Sequence, residues 1–265
     1  MIGVVRSELL RLRRLDVLLG WFGLMVTFTV LVNFVMFQVV DPSGTAPADG
    51  PGVSFPDAAT LAGGEGLAAG LGAAATFLGV VTLSFWALAA ATDHSTGLVR
   101  ITVAAEPRRW RLLLGKWLAL ASVTVLTTTA VTVLNAVVAP VAAEAGGFTP
   151  DAWTSAPATV LATAWVDLFL SLLVWGSIGL ALATVTRSAG VAIGAGVGYV
   201  LLVEAVIAAV ASDVADWLPG SILTAIAQGG AGPVSYAEAC VTGGAYVAVA
   251  LTAAFVVFRR RDITD

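Results

Sequence analysis

Charge is scarce in this sequence. Of its 265 residues only 11% are Asp, Glu, Lys or Arg, where a water-soluble globular domain carries about 25%. So few charges cannot cover a surface facing water, which excludes a soluble domain and points to a bilayer. Histidine occurs once, at His94, and cysteine once, at Cys240. A single cysteine excludes a disulfide within the chain. One histidine and one cysteine cannot build a His/Cys metal cluster, and they leave no credible nucleophile–base arrangement. A Walker A loop is also missing: Gly115-Lys116 is followed by Trp117 rather than Ser or Thr, and Trp110 stands where the first Gly would be. The chain is therefore read as a non-enzyme that holds no cofactor of its own. Its net charge of −4 gives no reason to expect a nucleic acid or another polyanion as partner.

Long apolar runs are what the sequence has instead. Six of them, at about 17–38, 67–91, 118–142, 158–185, 189–211 and 237–258, reach the length of about 20 residues that crosses the hydrocarbon core. They predict an all-α integral membrane protein with six transmembrane helices. Ala46-Pro-Ala48 resembles a signal-peptidase site. The run before it exceeds the 7–15 apolar residues of a signal peptide, so a retained span is expected. Along residues 1–16 and into the next, Ile2, Val5, Leu9, Leu12 and Val17 recur at spacings of three to five, with Arg6, Arg13 and Arg14 mostly elsewhere. That pattern predicts an amphipathic helix in the membrane interface. Residues 217–227 are apolar apart from Ser221 and Thr224. They are too few to span, and predict a short re-entrant or interfacial segment between the fifth and sixth spans.

The 13 basic residues all fall on one side of this arrangement: before the first span, between spans two and three, at Arg187, and in the 259–265 tail. Nine acidic residues fall on the other side. The positive-inside rule makes the basic side cytoplasmic, so both termini are expected inside. Heavy use of Ala, Val, Gly and Arg suggests a bacterial genome, and hence a multi-pass protein of the bacterial plasma membrane.

Within the spans a few residues stand out. Gly66 and Gly70 form a small-xxx-small pair. Gly190, Gly194 and Gly198 line one helix face and predict a packing seam against another helix, of this chain or of a second copy. Asp167 and Glu204 are the two acidic residues inside predicted spans. A charge at mid-bilayer costs roughly 2.5–3.5 kcal/mol, and no Lys or Arg within a span neutralises either one. They are candidates for a hydrated acidic substrate path, or else carboxyls bonded to nearby hydroxyls. Trp21, Trp86, Trp110, Trp117, Trp153 and Trp217 lie near span ends and read as an interfacial aromatic belt.

The stretch 93–117 carries five of the basic residues: Arg100, Arg108, Arg109, Arg111 and Lys116. It predicts a short helix near 97–105, a break at Glu106-Pro107, and a basic turn leading into the third span. Its order of acidic residue, Gly, short helix, Pro-Arg-Arg, Gly-Lys and apolar span resembles the coupling loop of type-2 ATP-binding-cassette exporter permeases. That family usually has Glu where this chain has Asp93. Trp217-Leu-Pro-Gly-Ser and the tail Phe258-Arg-Arg-Arg-Asp262-Ile-Thr match the family in two further places. The resemblance implies a permease subunit that moves a drug, lipid, peptide or glycan outward. It implies cytoplasmic ATPase subunits that carry ATP and Mg, a second permease copy in a homo- or heterodimer, and surrounding membrane lipid. Asp93, Gly97, Arg100, Pro107, Arg108 and Arg109 are then the residues implied to receive the ATPase stroke. Two other readings of the same residues are an ion-coupled carrier using Asp167 and Glu204, and a non-transporting membrane anchor for a signalling or assembly complex.

Overall fold

The computed structural model describes residues 2–12, 15–42, 44, 55–95, 108–154, 156–230 and 233–260. Gly97, Arg100, Pro107, the expected coupling helix around them, the Ala46–Ala48 motif and the end of the tail lie outside the described residues. The described residues are mostly helical, without a strand among them. In order the helices are α1 (Ile2–Leu12), α2 (Leu15–Val39), α3 (Ala58–Ala62), α4 (Gly66–Ser95), α5 (Arg109–Ala145), α6 (Pro157–Thr186), α7 (Ala189–Val210), α8 (Ser212–Ala215), α9 (Pro219–Ala227) and α10 (Tyr236–Arg260). Six of these, α2, α4, α5, α6, α7 and α10, are long and apolar enough to cross a membrane. The protein is an all-α, multi-pass integral membrane protein.

Helices α4 and α6 form the central pair. Two-thirds of their apolar windows (67%) are buried, against 22% for α7 and 17% for α10, so the latter two form the periphery. Small residues allow the close packing that association in lipid requires. Gly70 of α4 lies directly against Asn33 of α2, and Gly176 of α6 against the ring of Trp86. The Asn33 Nδ2 donates to Asn135 Oδ1 at 2.9 Å, and Asn135 Nδ2 donates to the Leu67 carbonyl at 2.8 Å. One buried amide relay thus ties α2, α5 and α4 together.

Two expectations are corrected here. The stretch expected as a basic turn before the third span is helix instead: the chain is helical from Arg109 and continues for 37 residues. Arg, Leu and Lys are good helix formers, and long basic stems lie along an apolar surface while their heads stay wet. At about 1.5 Å per residue this helix is about 55 Å long, so it extends well beyond the hydrocarbon. The aromatic belt also fails for three tryptophans. Trp86, Trp21 and Trp153 are buried. Trp86 donates to Thr124 at 3.1 Å, Trp21 stacks on Phe85 with centroids 4.1 Å apart, and Trp153 donates to the Leu61 carbonyl at 3.1 Å. Position along a span gives depth but not which face points inward. Trp110 and Trp217 are exposed, as a belt requires.

Candidate functional site

At the basic end, four elements meet through charge. Glu8 is buried on α1 although the helix is basic overall. Its Oε2 accepts from Lys116 Nζ of α5 at 2.7 Å, and its Oε1 from Arg11 at 2.9 Å. The same Lys116 ammonium lies 2.8 Å from Asp93 Oδ2 at the end of α4. Beside it, Gly115 leaves room for Val4: a Cβ at that position would lie 2.5 Å from Val4 Cγ1. About two turns earlier, Arg109 donates to the carbonyls of Phe258 and Arg259 at 2.9 and 3.1 Å. Those carbonyls end α10, where a cation complements both the unpaired acceptors and the helix dipole. Helix α1 is therefore locked to the ends of α4 and α5 that bracket residues 96–107, and α5 is locked to the end of α10.

Of the coupling residues expected from the sequence, Asp93 and Arg109 belong to this cluster. Arg108 precedes α5 on the exposed surface. Glu8 and Lys116 were not singled out. Glu8 is the one acidic residue among the first fifteen and sits three after Val5 and four before Leu12. A carboxylate on an apolar stripe needs a partner, which was the available signal.

At the opposite end lies a cavity of about 620 Å³ between α3, the start of α4, the start of α6 and the end of α9. Asp167, buried ten residues into α6, forms part of its wall together with Glu65, Thr60, Thr163 and Gln228. The Tyr236 hydroxyl at the start of α10 donates to Asp167 Oδ1. The α3 wall is held by Asp57, which caps that helix by accepting from the Thr60 N–H at 2.7 Å. Bonding to the Thr60 side chain and then to its N–H holds the Asp57 carboxyl below its ordinary range.

No model of a known protein family matches the chain, and no curated protein matches it. What the residues can do is therefore read from the site itself.

Glu204 does not join Asp167. It ends a π-helical turn, Tyr199–Glu204, in the middle of α7, a local widening found mostly at special positions. Both of its carboxylate oxygens accept from the Gly220 N–H at 3.0 Å. Gly220 lies in the first turn of α9, whose apolar face, Ile222, Leu223, Ala225 and Ile226, is buried. The segment expected at 217–227 is thus a short helix inserted among the spans, with Glu204 at its N-terminus. Tyr246 of α10 holds the chain just before it, donating to the Trp217 carbonyl at 2.6 Å, and Thr76 of α4 lies 3.1 Å from Thr224 within it. Glu204 and Asp167 stand at opposite ends of α9, since Gly229, just past its C-terminus, is beside Asp167 Oδ2.

Among the described residues, the Gly190, Gly194 and Gly198 face of α7 meets no other element: no atom of another element lies within 4 Å of a Cβ placed at any of the three. Gly196, on another face, is the α7 glycine that packs, against Leu83. Among the described residues no group of three or more His, Cys, Asp or Glu side chains is gathered for a metal ion.

Proposed function

We propose that the chain is the transmembrane permease subunit of an ATP-driven exporter, worked by separate ATP-binding-cassette ATPase subunits that carry ATP and Mg. The observation that carries this reading is the Glu8–Lys116–Asp93 cluster. It fastens three elements to one another at the basic end, on either side of the stretch that resembles a coupling loop. A push delivered to residues 96–107 from the cytoplasm would reach α4 through Asp93, α5 through Lys116 and the interfacial helix through Glu8. It would reach α10 through Arg109. The central position of α4 then passes the motion to α6 and to the opposite end, where the cavity lies.

In this reading both termini are cytoplasmic, the membrane is the bacterial plasma membrane, and two permease copies pair in the lipid. The ion-coupled carrier would need two carboxylates on one path. Glu204 instead spends both oxygens on one backbone N–H, away from Asp167. The test is purification of the tagged full chain from its native membrane in mild detergent. A stoichiometric nucleotide-hydrolysing subunit is expected. Transport that runs on a proton gradient with ATP absent would replace this reading with the carrier.

A further inference from the structure

We propose that the cavity bounded by α3, α4, α6 and α9 binds an amphipathic organic cation, with Asp167 as its counter-ion. The volume, about 620 Å³, falls within the roughly 300–1,000 Å³ of small-molecule sites. The walls have the mixed character of such sites: Ala68, Ala69, Val160 and Ala164 are apolar, and Thr60 and Thr163 bring hydroxyls. Among the described residues of the wall the charged ones are two carboxylates, Asp167 and Glu65, with no Lys or Arg.

Asp167 is the informative one. It is 4% exposed and lies within a helix that crosses the membrane, where an ionisable group is costly and its partner marks a pathway. Its protein partner, the Tyr236 hydroxyl, is neutral and serves Oδ1. Oδ2 lies on the side of Gly229, itself part of the cavity wall. Among the described residues of the wall no positive charge balances this carboxylate, and a cationic ligand would supply it. A bare metal ion fits poorly, because two carboxylates do not fill a coordination shell and most of the volume would remain empty. An ammonium or phosphonium centre on an apolar body satisfies both the carboxylate and the alanine-lined wall.

As the cargo of an exporter this ligand rests on the function proposed above; as a bound ligand it does not. The test therefore measures binding of radiolabelled tetraphenylphosphonium to the purified full chain in lipid nanodiscs, with no nucleotide and no ATPase. Saturable binding is expected. Asp167→Asn should weaken it about 30-fold or more, the loss expected when a buried charge pair loses one partner. Ala164→Phe, which fills the cavity and leaves the carboxylate in place, should abolish it. Tyr236→Phe keeps the charge and removes the hydroxyl, and should bind at least as tightly as wild type. Glu144→Gln, an exposed carboxylate outside the cavity wall, should bind as wild type. Neutral triphenylphosphine oxide should not displace the probe. Absence of saturable binding would overturn the proposal. So would wild-type affinity in Asp167→Asn or in Ala164→Phe, or equal displacement by the neutral compound. If Asp167→Asn does not fold, Ala164→Phe and the neutral competitor decide. None of these results bears on ATPase association, so the two proposals fail separately.

Discussion

Lys116 shows how much one side chain can organise. Its ammonium serves Glu8 and Asp93 from two different helices, with both carboxylates largely shielded from water. Lys116→Met would leave both carboxylates facing an apolar stem. Hydrogen bonds to charged groups are worth about 1.5–3 kcal/mol each. A lower thermal-unfolding midpoint in detergent is expected, with part of the loss restored by adding Glu8→Gln. An unchanged midpoint for Lys116→Met would mean the cluster holds nothing together. Asp93 was legible in the sequence from its place before Gly97, and Arg109 from the Pro-Arg-Arg run. Their partners were not, because Arg109 bonds to backbone carbonyls 149 and 150 residues away, and carbonyls carry no mark in a sequence. The tryptophans repeat the lesson: a ring near a span end can be exposed, as that of Trp110 is, or stack in the core, as Trp21 does.

Among the elements, α9 is the one whose existence was readable and whose support was not. Eleven residues, apolar apart from Ser221 and Thr224, are too few to span, so insertion short of crossing was legible. Glu204 looked uncompensated because a neutralising charge was sought among Lys and Arg. Its counterpart is the N-terminus of α9, where unpaired N–H groups and the helix dipole favour an anion. Glu204→Ala should loosen this end, at about 0.5–2 kcal/mol for a lost cap, and Glu204→Gln, which keeps an acceptor oxygen, should lose less. Gly220→Val is expected to be worse than either, since a Cβ at Gly220 falls on Glu204 Oε2. A cysteine at the exposed Ser221 reports the outcome through thiol labelling. Faster labelling in Glu204→Ala than in Glu204→Gln fits the cap, and equal rates would remove it. The short helix α3 has its own pH limit. The Asp57 carboxyl is held below its ordinary value of 3.8, so its capping contribution is complete above that value and is lost as pH falls through the lower folded value. Hydrogen exchange over 58–62 should therefore be the same at pH 5 and pH 8 after correction for intrinsic rates, and rise only in stronger acid. A rise near neutrality would point to a different cap.

Over the whole molecule, six crossings and a basic end were legible because hydropathy and charge are local properties of the chain. Which faces pack inward was not, and the glycine stripe of α7 is the clearest case. Gly190, Gly194 and Gly198 line one face of α7 as expected, but among the described residues no helix occupies it. If two copies pair through that face, Gly194→Leu should leave the monomer's unfolding midpoint unchanged while shifting the mass in detergent toward one copy. A lowered midpoint with unchanged mass would place the stripe against this chain instead. Arg109 cannot be used alone to test docking of an ATPase, because reversing it removes the cap from α10. Arg108 lies on the exposed surface before α5. The most direct test of the exporter account is therefore ATP hydrolysis by the purified assembly in lipid vesicles, with Arg108→Glu compared against wild type at equal insertion. The account predicts that the wild-type chain retains a bound ATPase. It also predicts that Arg108→Glu weakens that association about 30-fold or more, with coupled hydrolysis lost. Vesicles in which the chain moves its cargo with no ATPase bound, at the same rate in both proteins, would contradict it.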